Sequence, residues 1–161
     1  MAVWMQIIGI RKMNSFEKEK ERIAIILSSE NLDWKLKKES SIEYFEFIFQ
    51  HEKIKVYFDH PNFIQFSGTS RLFAKWFEFA DQKNKELTNE IRNVLKQVSA
   101  KCSIDELLYF SEWFFSLDDI KLGEVMFEEL IQQIEKYPDL KSTELFGLES
   151  NQYYTEKVKN Y

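Results

Sequence analysis

Apolar and polar side chains alternate over most of residues 42–66. Phe45, Phe47 and Phe49 share one parity, and Tyr44, Glu46, Ile48 and Gln50 share the other. A period of two sends successive side chains to opposite faces of a strand. Beyond a hairpin at His51-Glu52, Ile54, Val56 and Phe58 continue the apolar parity against Lys53, Lys55, Tyr57 and Asp59. The turn formers Asp59-His60-Pro61-Asn62 close that strand. Phe63 to Phe66 supplies another, ended by Ser67-Gly68, and upstream Trp34 and Leu36 alternate with Asp33, Lys35 and Lys37. These segments predict a four-strand antiparallel meander with hairpin-length connections. One face of it is largely aromatic and needs a cover, most simply of helices.

At about Ser70 the period lengthens to that of a helix. Leu72, Phe73, Trp76, Phe77 and Ala80 form one stripe. Leu87, Ile91, Val94 and Val98 form another, and the stretch between them, Asp81 to Glu86, is wholly polar. Ser103 and Glu106 have capping-box spacing and predict a helix over 103–117. Its apolar positions, from Ile104 through Phe110 and Trp113 to Leu117, nearly encircle the axis, so it is expected to be buried on most sides. Asp118-Asp119 breaks the run and caps a further helix. That helix turns Ile120, Met126, Phe127, Leu130, Ile131, Ile134 and Tyr137 inward, turns Glu124, Glu128, Glu129 and Glu135 outward, and stops at Pro138. Near the N-terminus, Asn14 and Glu17 mark the start of a helix reaching about Ser29.

The apolar segment before Arg11 reads as a strand docked on the sheet, or else as a leader ahead of a start at Met13. Tyr153 to Val158 reads as an added strand or an ordered arm. The expected architecture is α+β in a single domain spanning 1–161. It consists of an N-terminal helix, a four-strand antiparallel meander, and three to four helices bundled on one face of the sheet.

Composition narrows the chemistry. The 161 residues include 15 Phe, 7 Tyr and 4 Trp but only 4 Gly and 2 Pro, so aromatic volume must fill the core. The glycines lie far apart, which excludes a glycine-rich phosphate cradle. Cys102 is the sole cysteine, which rules out an internal disulfide or a cysteine metal cluster. No apolar run reaches the length of a membrane span. Arg11 and Lys12 follow the N-terminal apolar run instead of preceding it, which argues against a signal peptide, and a cytoplasmic location is expected.

Candidate reactive groups are few. His51 and His60 sit in turns at opposite ends of one strand, roughly 30 Å apart at the rise of an extended chain, too far to share a metal. Cys102 precedes an expected N-cap but carries no nucleophile signature. The pairs Asp118-Asp119 and Glu128-Glu129 point about 100° apart on a helix, which suits caps and surface better than acid–base work. Lys35, Lys37, Lys53, Lys55 and Tyr57 share a polar sheet face of the kind that stacks bases, but Glu43, Glu46 and Asp59 dilute it. No cofactor, metal or nucleic acid is expected.

Charge points elsewhere. The net charge is −5, yet residues 102–161 carry 13 acids against 5 bases, while residues 1–101 carry 14 against 17. The acidic excess therefore lies in the last 60 residues, where it repels phosphate backbones and attracts a basic partner. With no catalytic constellation in view, the expectation is a non-enzymatic protein-binding module of the bacterial cytosol. An inhibitor or immunity-type protein that neutralises a basic protein through acidic C-terminal helices fits best. The alternatives are a secretion-chaperone-like or adaptor dimer and an enzyme with an unrecognised site, with monomer and homodimer both open. The expected partner-facing residues are Glu112, Trp113, Asp118, Asp119, Glu124, Glu128 and Glu129, an aromatic anchor within an acidic rim.

Overall fold

A computed structural model of the chain describes residues 5–11, 21, 35–58, 60, 62–69, 73, 82–115 and 124–158. These form seven strands, two α-helices and one 3-10 turn. The strands are β1 (Met5–Ile10), β2 (Lys35–Glu39), β3 (Ile42–Phe49), β4 (Glu52–Tyr57), β5 (Phe63–Ser67), β6 (Glu106–Ser111) and β7 (Tyr153–Lys157). The helices are α1 (Gln82–Lys101) and α2 (Glu124–Lys136), and Pro138–Leu140 makes the 3-10 turn. All seven strands join one sheet in the order β2-β3-β4-β5-β1-β6-β7, and every pairing is antiparallel.

This corrects the expected architecture. The sheet has seven strands, not four, and the described helices number two, not a bundle of three or four. The fold is a helix-poor α+β arrangement, and the helices lie on both faces of the sheet instead of one.

The alternating segments within 35–67 do pair in chain order. Two-residue turns join β2 to β3 through Ser40-Ser41 and β3 to β4 through Gln50-His51, with all four residues at positive φ. Positive φ at both central positions gives a turn whose twist matches that of the flanking strands. Gly68 ends β5 at φ +92, where a Cβ would stand 2.3 Å from the Lys53 carbonyl oxygen. The β4–β5 connection is held from β1: the Arg11 backbone N–H donates to the Asn62 carbonyl at 2.9 Å. The Arg11 guanidinium, 1% exposed, donates to the carbonyls of Phe58 at 3.3 Å and His60 at 2.8 Å.

The helix expected over 103–117 is absent. Ser103, read as an N-cap, sits at φ 58 just past the end of α1. There the Ile104 N–H donates back to the Ser99 carbonyl at 2.9 Å, which is the closing bond of a Schellman C-cap. The chain then enters β6, in the middle of the sheet between β1 and β7. Leu107, Leu108, Tyr109, Phe110 and Ser111 are all buried. A strand covered on both faces loses its alternation, so a short continuous apolar run does not distinguish strand from helix.

Register assigns the two faces. Leu107 and Tyr109 lie with Ile7, Phe66, Phe47 and Val56 in the cluster covered by Ile91, Leu95 and Val98 of α1. Leu108 and Phe110 lie with Ile8 and Phe63 in the cluster covered by Phe127 and Leu130 of α2. Gly9 lies on the α1 face, where a Cβ would stand 3.0 Å from both Ile64 and Ile104. The missing side chain lets those two isoleucines close over the centre of the sheet.

Residues 5–10 occupy the inside of the sheet, between β5 and β6, and residues 153–157 add the edge strand β7. The expected N-terminal helix lies outside the described residues except for Glu21, which is helical. The stripe from Leu72 to Ala80 also lies outside them except for Phe73, which is buried. No helix among the described residues is long and apolar enough to cross a membrane.

Candidate functional site

The turn after β6 meets the C-terminal half of α2. Buried Ser111 organises the turn that follows. Its carbonyl accepts from the N–H groups of Phe114 at 3.0 Å and Phe115 at 3.2 Å, and its hydroxyl oxygen accepts from the Trp113 N–H at 3.2 Å. Phe114 points inward, packed on Tyr153 with ring centroids 4.9 Å apart. Trp113 points outward and is 59% exposed. The Gln133 side chain of α2 donates to the Phe114 carbonyl at 3.4 Å, which ties the turn to the helix. An exposed tryptophan is thus presented on a turn fixed from beneath and from the side.

Of the residues expected to face a partner, Glu112 and Trp113 lie in this turn, not on a helix. Glu128 and Glu129 are exposed on α2, and Glu124 opens that helix. Asp118 and Asp119 lie outside the described residues. Glu129 precedes Gln133 by one helical turn and so shares the side of α2 that meets the Trp113 turn. Glu128 falls on the neighbouring side, about 100° away.

One C-terminal acid is not at the surface. Glu156 of β7 is buried between α1 and β6, within 2.8 Å of Arg92 Nη2, 2.5 Å of Lys96 Nζ and 3.1 Å of the Tyr109 hydroxyl. Burial works against the Arg92 charge, but Glu156 outweighs it and holds the guanidinium pKa above its ordinary value. Burial, reinforced by the Glu156 charge, pushes the Tyr109 hydroxyl well above the usual phenol range. Arg92 also lies over the Tyr154 and Phe146 rings. This cluster joins α1 to the sheet, so part of the acidic excess is structural.

The lysine face is a mixed one. Lys35, Lys37, Lys53 and Lys55 share parity with Tyr44 and Tyr57. Among them Glu46 accepts from Lys37 at 2.8 Å, and that hydrogen bond lowers the Glu46 carboxyl below its ordinary pKa. Glu39 lies 3.8 Å from Lys55. Burial pushes the Tyr57 hydroxyl up to about 12.

A pocket of about 340 Å³ opens between α2 and the turn after β4, lined by His60, Asn62, Phe127, Glu128, Ile131 and Gln132. His60 stacks on Phe63 with centroids 4.1 Å apart, and Phe63 stacks on Phe127 at 4.7 Å. The His60 Nδ1 accepts the Asn62 N–H at 3.0 Å, so the neutral ring carries its proton on Nε2. In the sequence His60 and Asn62 read as turn formers, with His60 too far from His51 to share a metal, because nothing local shows that α2 crosses beside them. No cluster of three or more metal-ligating side chains occurs among the described residues. Cys102 is buried at the α1 C-cap on the opposite side of the sheet. His51 sits in the β3–β4 turn, at the other end of β4 from His60.

Comparison of the chain with protein-family models, with curated proteins and with solved structures gives no match.

Proposed function

We propose that the chain is a non-enzymatic binding module that takes up a basic protein across α2 and the turn after β6, and inhibits it by occupying the basic surface. The observation that carries this reading is Trp113, 59% exposed on a turn that Ser111 and Gln133 hold against α2, the helix that exposes Glu128 and Glu129. Tryptophan is among the residue types most enriched in binding hot spots. A turn already fixed in the free protein loses little freedom on binding. The negative charge of the last 60 residues adds long-range attraction for a basic surface and speeds encounter. The lone buried cysteine suits the reducing cytosol, which is the compartment we propose.

The test is capture of basic proteins from a panel, followed by titration at rising ionic strength. Binding should weaken steeply with salt, and Trp113→Ala should weaken it by about tenfold or more, as loss of a hot-spot aromatic does. Absence of any salt-sensitive binding across the panel would overturn the reading.

A further inference from the structure

The pocket beside α2 has chemistry of its own. Its two lining aromatic rings, His60 and Phe127, are fixed in advance, since buried Phe63 stacks on both. The His60 ring also meets Phe127 directly at 5.7 Å. Among the described lining residues, Glu128 is the one carboxylate, and no Lys or Arg is among them. Asn62 and Gln132 add side-chain amides to the lining, each able to accept through its oxygen. The volume lies at the small end of ligand pockets, which start at about 300 Å³, and suits a single side chain better than a nucleotide. A carboxylate and amide acceptors over aromatic rings select a cation. A flat, weakly hydrated guanidinium gains more from ring faces than a compact ammonium does.

We infer that this pocket receives an arginine side chain of the basic partner, with the guanidinium against the His60 and Phe127 rings and paired with the Glu128 carboxylate. The inference rests on the binding reading above and adds a second contact point. Trp113 anchors one flank of α2, and the pocket takes an arginine on the other. Two contacts separated by the width of a helix make the partner's arginine spacing a specificity determinant.

The probe is N-acetyl-arginine methylamide, titrated into the whole chain while the His60 ring protons and the 127–132 amides are followed by NMR. The expected result is a salt-sensitive millimolar shift at His60 and along α2. The matching lysine amide should give a weaker response, inorganic phosphate should give none, and Glu128→Gln should cost about tenfold in affinity. Equal binding of the lysine amide, of phosphate or of an uncharged amide would overturn the arginine assignment, as would shifts confined to the Trp113 turn. The two readings separate cleanly. A basic protein that binds Glu128→Gln and His60→Ala as tightly as the parent chain, but loses affinity with Trp113→Ala, removes the pocket and leaves the surface. An arginine response at His60 with no basic protein bound anywhere keeps the pocket and removes the surface.

Discussion

The meander β2–β5 and the strands β1, β6 and β7 belong to one sheet but are assembled by different rules. In the meander each strand pairs with its neighbour in sequence, and two of its three connections are two-residue turns. In the other half, β1 joins β5 and β6, so Ile7 lies beside both Phe66 and Tyr109. Closing short loops costs little entropy, whereas distant pairings are rewarded only once both faces are buried. The meander is therefore specified locally, and the centre of the sheet is specified by the burial it achieves. The site follows the same division. The Trp113 turn and the His60 pocket both lie where α2 meets segments distant in sequence.

The largest test of this contrast pairs Phe47→Ala in the meander with Phe110→Ala in the centre. Both side chains are fully buried, and each truncation should cost about 3–5 kcal/mol. The kinetics should differ. Phe47→Ala should mainly slow folding and Phe110→Ala mainly speed unfolding, because local pairings form before the central strand closes. Stopped-flow chevrons showing the reverse partition would break the contrast.

Two glycines make a smaller comparison by urea denaturation. Gly68→Ala drives a Cβ into the Lys53 backbone at positive φ and should cost on the order of 3 kcal/mol. Gly9→Ala meets only the side chains of Ile64 and Ile104, which can shift, and should cost about 1 kcal/mol.

Alkaline titration reads one tyrosine on each side. Both folded-state pKa values are raised, Tyr57 to about 12 and Tyr109 well above the ordinary 10.0. The unfolded chain then gives up its phenol protons first. The stability from each group is intact below pH 10 and falls as pH rises through the folded-state value. Tyr57→Phe should flatten the part of the decline between pH 10 and about 12, and Tyr109→Phe should also flatten the decline above pH 10. Unchanged slopes in urea melts over that range would refute the assignment.

The smallest effects are gains. Ser41, His51 and Ser103 all hold positive φ without being glycine. Glycine at any of them should stabilise by about 0.5–1 kcal/mol, the first two by easing hairpin turns and the third by easing the α1 C-cap. A loss at Ser103 would mean that its side chain stabilises the cap by more than the strain costs.

Much of this was legible in advance. Parity at 42–58 placed Phe45, Phe47, Ile54 and Val56 on the buried face, because a strand with one covered face must alternate. The acids of α2 were legible as a surface because helical spacing separates Glu128, Glu129 and Glu135 from Phe127 and Leu130. Trp113 was legible as a candidate anchor by residue type, but its exposure was not, since the expected helix would have buried most of its neighbours. Ser103 and Glu106 carry the letters of a capping box while serving as the C-cap of one helix and the first residue of a strand. Capping letters state a local option, and the packing around Ile104 chooses among the options.

Readable from the residues alone are the strand parities of the meander, the neighbourhood of its turns (the β3–β4 turn falls at Gln50-His51, one residue before the expected His51-Glu52) and the sign of the C-terminal charge. These are set within a few residues by backbone sterics, side-chain direction and composition. Packing alone makes 106–111 a central strand, buries Glu156 beside two cations, and brings His60 and Glu128 to one pocket. Burial on both faces erases the periodicity that would reveal such a strand, and a contact between distant segments leaves no mark on either segment alone.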